Sequence, residues 1–299
     1  MINKILSALK PINTLLILLT YFLGIGIAHY LGFTQNVETL WNGLILVISF
    51  HTGSIFLGKY FEMYFLHNAS SSTHEHGHPS SVQEEKYLQF LFLLIGIAFL
   101  AVCMIPLFEL FFASILKISN FILIVLTFFI ICVVEIFPNQ LSNVGLLEFL
   151  QALFHANLIP SIAFLLQTNS VHRLLFLLTF PLFFLFLALF IVFNLPNATR
   201  NNETKSRSLS SRIGPILFLR VHNLLILVSY LVLLSGSILD LPWKLIWPVL
   251  MTLPIGLIQI WQVDQVLKGH KPRFNLLTLV AIATAGSATY FMMLSLMLN

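Results

Sequence analysis

The chain has 299 residues and a formal net charge of +4; 58% of its residues are hydrophobic, whereas only 9% are charged. A soluble domain of this length carries far more charge on its surface, so the composition excludes a soluble enzyme. Apolar runs of about 18 or more residues recur along the chain, and each could cross a ~30 Å hydrocarbon layer as a helix. The sequence therefore predicts an all-α, polytopic membrane protein in contact with the lipid bilayer and without a nucleic-acid partner.

The apolar runs, taken in chain order, predict nine transmembrane helices. They cover about 13–31, 40–66, 87–105, 119–137, 144–167, 173–194, 215–238, 243–265 and 274–297. The segment from Pro106 to Lys117 either extends the third span or forms a short interfacial helix. We expect one domain over residues 1–299, a helical bundle around a central cavity.

The distribution of Lys and Arg predicts the orientation of these spans. If the N-terminus is cytoplasmic, only Lys117, Arg173 and Lys244 of the 15 Lys and Arg residues lie outside. The remaining basic residues then lie on the cytoplasmic side, as the positive-inside rule requires. We therefore expect an integral protein of a bacterial-type plasma membrane whose two long polar loops, about 59–86 and 194–214, are cytoplasmic.

Two polar loops at one end of a hydrophobic bundle favour a cavity for an amphiphile, with its head at the loops and its tail among the helices. Both loops could instead be solvated connectors. The first loop also carries His74, Glu75, His76 and His78, which could bind zinc, copper or nickel. Short His-rich loops also bind metal adventitiously, so a functional metal site is one of two interpretations.

A polar stripe in the predicted fifth span is a candidate acceptor pocket. Glu148, Gln151 and His155 recur at three to four residues and would share one helix face. Intramembrane ionisable groups tend to face a cavity, where this stripe could hold a phenolic or quinone-like head. A hydrogen-bond network between helices would explain the same residues. His51, Glu135 and His222 are further polar groups within apolar runs.

Four short segments occur in an order and at spacings that match one known family. They are Lys10-Pro11-Ile-Asn-Thr14, Gly58-Lys59-Tyr60-Phe61-Glu62, Gly145-Leu-Leu-Glu148 with Pro160, and Asn194-Leu-Pro-Asn197 continuing through Asn201 to Arg212-Ile-Gly214. In these segments the chain resembles the UbiA superfamily of intramembrane prenyltransferases, over essentially its whole length. The resemblance is greatest to the menaquinone-type branch, which acts on dihydroxynaphthoate.

This resemblance implies transfer of a prenyl group from an isoprenoid diphosphate to an aromatic or quinone precursor. In the superfamily, Mg²⁺ held by two Asp-rich motifs neutralises the departing diphosphate. The corresponding motif positions here are Gly58, Lys59, Glu62, Asn194, Asn197 and Asn201. The basic side chains that would hold the diphosphate are Lys59, Arg200, Lys205, Arg207 and Arg212.

The carboxylates that this chemistry requires are replaced. Lys59 stands for an Asp of the first motif, and Asn197 and Asn201 stand for both Asp of the second. The only aspartates in the chain, Asp240 and Asp264, lie in neither loop. An amide contributes no charge and a lysine repels a cation, so the sequence argues against Mg²⁺-dependent catalysis of the usual kind.

The basic residues also have explanations other than diphosphate binding. Cations at cytoplasmic span ends follow from topology alone, and Lys59 and Glu62 are spaced for an ion pair within one helix. Three functional classes therefore stay open. They are a divergent prenyltransferase with a rearranged site, a non-catalytic relative that binds an isoprenoid, quinone, lipid or membrane partner, and a metal-handling protein built on the His loop.

Overall fold

The computed structural model describes residues 10–70, 79–200 and 215–299, and within these ranges the chain is helical, without a strand. The elements are α1 (Pro11–Tyr30), α2 (Val37–Ser70), α3 (Pro79–Phe112), α4 (Ile118–Ile136), α5 (Pro138–Val144), α6 (Leu147–Leu153), a π-helix (Phe154–Leu158), α7 (Ile159–Thr168), α8 (Arg173–Arg200), α9 (Pro215–Ser235), a 3₁₀ turn (Gly236–Leu239), α10 (Trp243–Leu250), α11 (Leu253–Leu267) and α12 (Phe274–Leu298). The predicted all-α architecture is confirmed.

Eight of the helical segments in the described ranges are long and apolar enough to cross a membrane. Two further helices, α10 and α11, are long and apolar enough only when they are taken together as one span, and this span is bent by 41°. Each of the nine predicted spans overlaps one of these segments, and the bent pair corresponds to the eighth. The helix α3 continues through Pro106 to Phe112, so this segment extends the third span and does not form a separate interfacial helix.

The start of α1 follows directly from its sequence. Pro11 occupies the first helical turn, where its missing N–H costs no hydrogen bond. Lys10, just before it, has the non-helical backbone (ψ 77°) that a following proline favours. The Thr14 N–H donates to the Lys10 carbonyl at 3.1 Å and so closes the first turn. This Lys-Pro-x-x-Thr sequence therefore fixes the point at which α1 begins.

The fifth span is interrupted by the π-helix. Pro160 has no N–H for the carbonyl one turn earlier, which weakens the α-helical ladder there. The Ile159 N–H instead donates to the Phe154 carbonyl, one residue beyond the α-helical partner. Helix α1 packs closely here, since a Cβ atom on Gly24 would overlap the Pro160 carbonyl and lie 2.8 Å from the Cβ of Ala163.

The helices differ in how much of their surface the protein covers. In the most hydrophobic stretch of α8, 72% of the residues are buried inside the protein. This helix packs against α6, the π-helix, α9 and α12. By contrast, only 22% of the residues in the most hydrophobic stretch of α3 are buried. Helix α3 is therefore peripheral, whereas α1, α2 and the fifth span enclose the interior of the bundle together with α8.

Candidate functional site

Seven polar side chains from five segments gather inside the bundle, at the end where α1 begins and α4 and α8 approach their C-termini. We call them the polar cluster; they are Lys10, His51, Glu135, Glu148, Gln151, His155 and Asn194. They lie together because α1, α4, the fifth span and α8 alternate in direction along the chain. Antiparallel packing thus brings residues that are distant in sequence to one end.

The most strongly bonded part of the polar cluster is an ion pair. The Lys10 ammonium donates to both carboxylate oxygens of Glu135, at 2.9 Å to Oε1 and 2.7 Å to Oε2. The Glu135 side chain is 7% exposed and the Lys10 side chain 39%. Glu135 also lies at the C-terminal end of α4, where the helix dipole disfavours a negative charge. Lys10 compensates both for the burial and for the dipole.

The first motif-like segment contributes packing and a surface ion pair. Gly58 lies against the backbone of Glu135, so closely that a Cβ atom on Gly58 would overlap the Glu135 carbonyl. Lys59 binds Glu62 at 2.6 Å within α2, as the spacing in the sequence allowed. Both side chains of this pair are exposed by more than a third, so the pair contributes little to stability.

The predicted acceptor stripe is turned toward α8. Glu148 is 5% exposed, and its Oε1 accepts a hydrogen bond from Asn194 Nδ2 at 3.3 Å. Its second oxygen, Oε2, is buried and has no hydrogen-bond partner among the described residues. Among the described residues, only one of the two Glu148 carboxylate oxygens therefore has a hydrogen-bond partner. The predicted hydrogen-bond network between helices explains Oε1 but not Oε2.

His155 lies one step deeper in the same span, inside the π-helix. Its Nδ1 is 2.8 Å from the Gln151 carbonyl, an oxygen that can only accept, so Nδ1 carries the proton. In the neutral ring Nε2 is then the unprotonated acceptor, and it is buried without a partner among the described residues. The imidazole stacks on Phe186 at a centroid distance of 5.9 Å and contacts Phe190 at 4.9 Å.

His51, from α2, completes the interior side of the polar cluster. It is 1% exposed, and its ring stacks on Phe154 at a centroid distance of 6.0 Å. His155 lies within electrostatic range of His51, Lys10 and Glu135, so the two imidazoles and the ion pair share one region. Both ring nitrogens of His51 are buried and have no partner in the described part of the chain.

A third buried histidine shows that unpartnered rings are not general in this protein. His222 in α9 is also completely buried, but its Nδ1 donates to Asn223 Oδ1 at 2.9 Å. Its Nε2 meets Gln259 Nε2 of α11 at 2.8 Å, a bond between helices. His222 is therefore explained by helix packing. His51 and His155 are not, because three of their four ring nitrogens have no partner in residues 10–70, 79–200 and 215–299.

The polar cluster contains buried polar atoms for which the described residues supply no hydrogen bond. Burying a polar atom without a hydrogen bond costs free energy, and native proteins rarely accumulate such atoms in one place. The buried atoms of the polar cluster that have no partner within the part of the chain that the structure describes are both ring nitrogens of His51, Glu148 Oε2, Gln151 Oε1 and His155 Nε2. A hydrogen-bonding ligand head among them would recover this cost.

The predicted site residues fall into three groups. Glu148, Gln151, His155 and Asn194 come together in the polar cluster, while Gly58, Lys59 and Glu62 have the packing and ion-pair roles described above. The side chains of Asn197 and Arg200 lie outside the description. Also outside the described residues are Asn201, Lys205, Arg207, Arg212, His74, Glu75, His76 and His78. The diphosphate clamp and the metal-binding loop therefore stay predictions from the sequence.

The described residues do not fit the Mg²⁺ site that the resemblance implies. Of the carboxylates nearest the first motif, Glu62 is bound to Lys59 and Glu135 to Lys10. No group of three His, Cys, Asp or Glu side chains within the described ranges is placed to hold a metal ion. Magnesium needs several hard oxygen ligands with negative charge, and this donor set supplies cations in their place.

Three features of the site were not predicted from the sequence. The Lys10–Glu135 pair joins residues 125 positions apart, and the sequence contained only the weak signal of a carboxylate in an apolar run. The proximity of His51 to His155 depends on how α2 packs on the fifth span. The π-helix that carries His155 had a better signal, since Pro160 interrupts the ladder just after a polar stretch.

Comparison of the chain with models of known protein families finds no match, and no curated protein matches it either. The superfamily resemblance therefore stays a prediction from the sequence. The polar cluster is interpreted from its own geometry.

Proposed function

We propose that this protein is a UbiA-type intramembrane protein that binds the head of an isoprenoid or quinone-type amphiphile in the polar cluster. The observation that carries the proposal is the concentration, on His51, Glu148, Gln151 and His155, of buried polar atoms that none of the described residues binds. A head group among these atoms would satisfy them, while a hydrocarbon tail would lie between apolar helices. We further propose a cytoplasmic N-terminus in a bacterial-type plasma membrane.

The surroundings of the polar cluster support a flat head group. Phe154, Phe186 and Phe190 surround the two imidazoles, and aromatic side chains favour the faces and edges of another ring. Apolar walls with a few polar groups are typical of small-molecule sites. A quinone or phenol with an isoprenoid tail would pack on this lining; a quinone oxygen would accept from the one N–H of the His51 ring, and a phenolic hydroxyl would donate to the acceptor atoms.

A second candidate is prenyl transfer by a rearranged site. It is favoured by the order of the motif-like segments, because Lys10, Gly58, Glu148 and Asn194 all lie at the same end of the bundle. A diphosphate would then be held by Lys59 and by the basic residues at the end of α8 and after it, without the usual magnesium ligands. The predicted cations Arg200, Lys205, Arg207 and Arg212 would supply the positive charge.

The binding proposal predicts an unusual result for His51→Leu. Because both ring nitrogens lack partners among the described side chains and backbone, leucine removes a buried cost, and the free energy of unfolding should stay unchanged or rise by about 1 kcal/mol. The affinity for a quinone or hydroquinone with two isoprene units should nevertheless fall about tenfold. Equilibrium binding to protein in lipid nanodiscs and thermal unfolding in detergent measure the two quantities.

The matched control is His222→Leu, which replaces an equally buried histidine whose two ring nitrogens are bonded. It should destabilise the protein by about 1–3 kcal/mol through the unpaired Gln259, and leave the affinity unchanged. If His51→Leu destabilises as much as His222→Leu and binding is unaltered, His51 is a structural residue. Absence of binding in the unmodified protein, to both redox forms of the ring, contradicts the proposed function.

Prenyl transfer is tested by a separate assay. Purified protein is incubated with farnesyl or geranylgeranyl diphosphate, a hydroxylated aromatic acceptor and Mg²⁺, and released diphosphate is measured. We expect no release above the protein-free rate, because the two carboxylates nearest the first motif-like segment, Glu62 and Glu135, are paired with lysines. Release that disappears on substitution of Glu62, Lys205 and Arg207 would instead establish the transferase.

A further inference from the structure

A second group of buried polar side chains lies between α9 and α11. We call it the amide site; it consists of His222 and Asn223 on α9 and of Gln259 and Gln262 on α11. Helix α8 packs against α6 and the π-helix, which carry the polar cluster, and with other parts of its surface against α9 and α12. The amide site and the polar cluster are therefore separate, with α8 between them.

The hydrogen bonds of the amide site fix the direction of the Gln259 side chain. Asn223 Oδ1 can only accept, so in the neutral His222 ring Nδ1 carries the proton and Nε2 is the acceptor. The Gln259 nitrogen, Nε2, lies 2.8 Å from this acceptor and donates to it. The Gln259 oxygen, Oε1, therefore points elsewhere. It is buried, and none of the described residues donates a hydrogen bond to it.

Gln262 adds a second oxygen of the same kind, one turn further along α11. Residues three positions apart lie on the same side of a helix. Gln262 Oε1 is also buried without a donor in the described ranges, although the residue as a whole is only half-buried, whereas Gln259 is 1% exposed. The amide site thus has an inner oxygen on Gln259 and an outer oxygen on Gln262, about 8 Å before α11 ends at Leu267.

The charges around the amide site argue against an ionic ligand. Helices α9, α11 and α12 contain one carboxylate, Asp264, and it is bound to Lys268 at 2.6 Å. A cation between the two oxygens would have no negative partner, and Arg220, one half-turn before His222, would repel it. An anion would meet two acceptor oxygens. The ligand that satisfies the amide site is therefore uncharged and supplies a hydrogen-bond donor to each oxygen.

The neighbouring surface of α9 and α11 suits a hydrocarbon chain. Exposed apolar side chains flank the amide site on both helices; they are Leu224, Leu227, Leu257, Ile258 and Trp261. Because α11 is followed by the charged Lys268, its end lies near the membrane surface, and Gln262 lies at about the depth of lipid glycerol groups. Two uncharged donors on one hydrocarbon chain at this depth describe a glyceride with two free hydroxyl groups.

We propose that the amide site binds the uncharged diol head of a membrane glyceride, with one hydroxyl donating to Gln259 Oε1 and the other to Gln262 Oε1. The inference is independent of the proposed function, since it concerns other helices and another ligand. Burial of the two oxygens without a donor costs free energy, which the hydroxyl groups recover. His222 is a positioning residue, because its Nε2 holds the Gln259 amide with the oxygen turned to the ligand.

The test is the binding of 1-monooleoylglycerol to the unmodified protein in nanodiscs of phosphatidylcholine, whose head group has no hydrogen-bond donor. The comparison ligand is its dimethyl ether, which has the same chain but no donor. We expect the monoacylglycerol to bind about tenfold more tightly, because the ether leaves both buried oxygens unpaired. Equal affinities would overturn the proposal and would assign the two oxygens to buried water.

Two further ligands test the chemical class. Free glycerol has the diol without the chain, and phosphatidylethanolamine has charged donors on a phospholipid. We expect millimolar glycerol not to displace the monoacylglycerol, and phosphatidylethanolamine to bind no more tightly than phosphatidylcholine. Displacement by glycerol would overturn the assignment to a membrane lipid, and a preference for phosphatidylethanolamine would overturn the uncharged head.

Gln262→Leu assigns the binding to the amide site. It removes an oxygen that no described residue binds, so the protein should keep its stability while the affinity for the monoacylglycerol falls about fivefold or more. The matched control is Gln265→Leu, at a glutamine of the same helix whose oxygen is not one of these two, and it should leave the affinity unchanged. An unchanged affinity in Gln262→Leu would overturn the assignment.

The positioning role of His222 is tested by the ratio of the two affinities, which a loss of stability alone does not change. In His222→Leu the Gln259 amide is no longer held, and the preference for the monoacylglycerol over its ether should fall about fivefold. A preserved ratio would make His222 a structural residue only. If this variant does not fold, Gln262→Leu and the ether comparison on the unmodified protein still decide whether the amide site binds the diol.

Discussion

Replacement of Gly58 by alanine is expected to destabilise the helical bundle by about 1–3 kcal/mol, although alanine is normally the better helix former. The reason is the close approach of α2 to α4. A Cβ atom at position 58 would overlap the Glu135 carbonyl and lie 3.0 Å from its carbonyl carbon and 3.3 Å from its Cβ. Because the obstacle is backbone, a side-chain rotation cannot relieve it, and α4 must move.

The measurement is the unfolding of purified protein in a detergent mixture, followed by circular dichroism. The control is Gly286→Ala in α12, where a Cβ atom meets nothing within 4 Å. There the better helix propensity of alanine should raise stability by up to about 1 kcal/mol. Equal effects of the two substitutions would show that Gly58 has no special packing role.

The Gly58 contact also changes how the first motif-like segment is understood. On the sequence, Gly58 stands where the resembling family has an asparagine, and it looks like a lost ligand. In the fold, a residue larger than glycine would not fit at this position, since α2 and α4 touch there. The contact with α4 leaves no room for a ligand side chain at position 58, and the nearby carboxylates of Glu62 and Glu135 are paired with lysines.

The spans and the Lys59–Glu62 ion pair could be predicted from the sequence, because both depend on short-range patterns. Hydrophobic length predicts each spanning helix, Pro11 predicts where α1 begins, and the spacing of Lys59 and Glu62 allowed the ion pair that is found. The same helical spacing predicted that Glu148, Gln151 and His155 share a face. That this face is turned to Asn194 and Phe190 required the fold.

The interior contacts could not be predicted because they join segments whose relative placement is set by packing. In the sequence, Lys10 was only the first residue of a segment that resembles the family, and nothing local linked it to Glu135. The tautomer of His155 depends on one backbone carbonyl within a π-helix. Hydrophobic periodicity contains no information on a bond of that kind.

The Lys10–Glu135 pair yields the second large expected effect, and the effect should be asymmetric. Lys10→Met leaves the Glu135 carboxylate buried at 7% exposure without its cation, and should cost about 3 kcal/mol. Glu135→Met leaves a lysine that is 39% exposed and can extend its ammonium toward water, so we expect about 1 kcal/mol. The double variant should be more stable than Lys10→Met alone, because no charge is left unpaired.

A double-mutant cycle on unfolding free energies measures this coupling. The control cycle uses Lys268 and Asp264 in α11, which form a 2.6 Å pair with side chains 60% and 43% exposed, and its coupling should be below about 0.5 kcal/mol. Strong coupling at Lys10 and Glu135 alone would mean that Lys10 serves as the counterion of a buried carboxylate. A free Lys10, with no coupling to Glu135, would instead be available to an anionic ligand, and would favour the transferase over the binding protein.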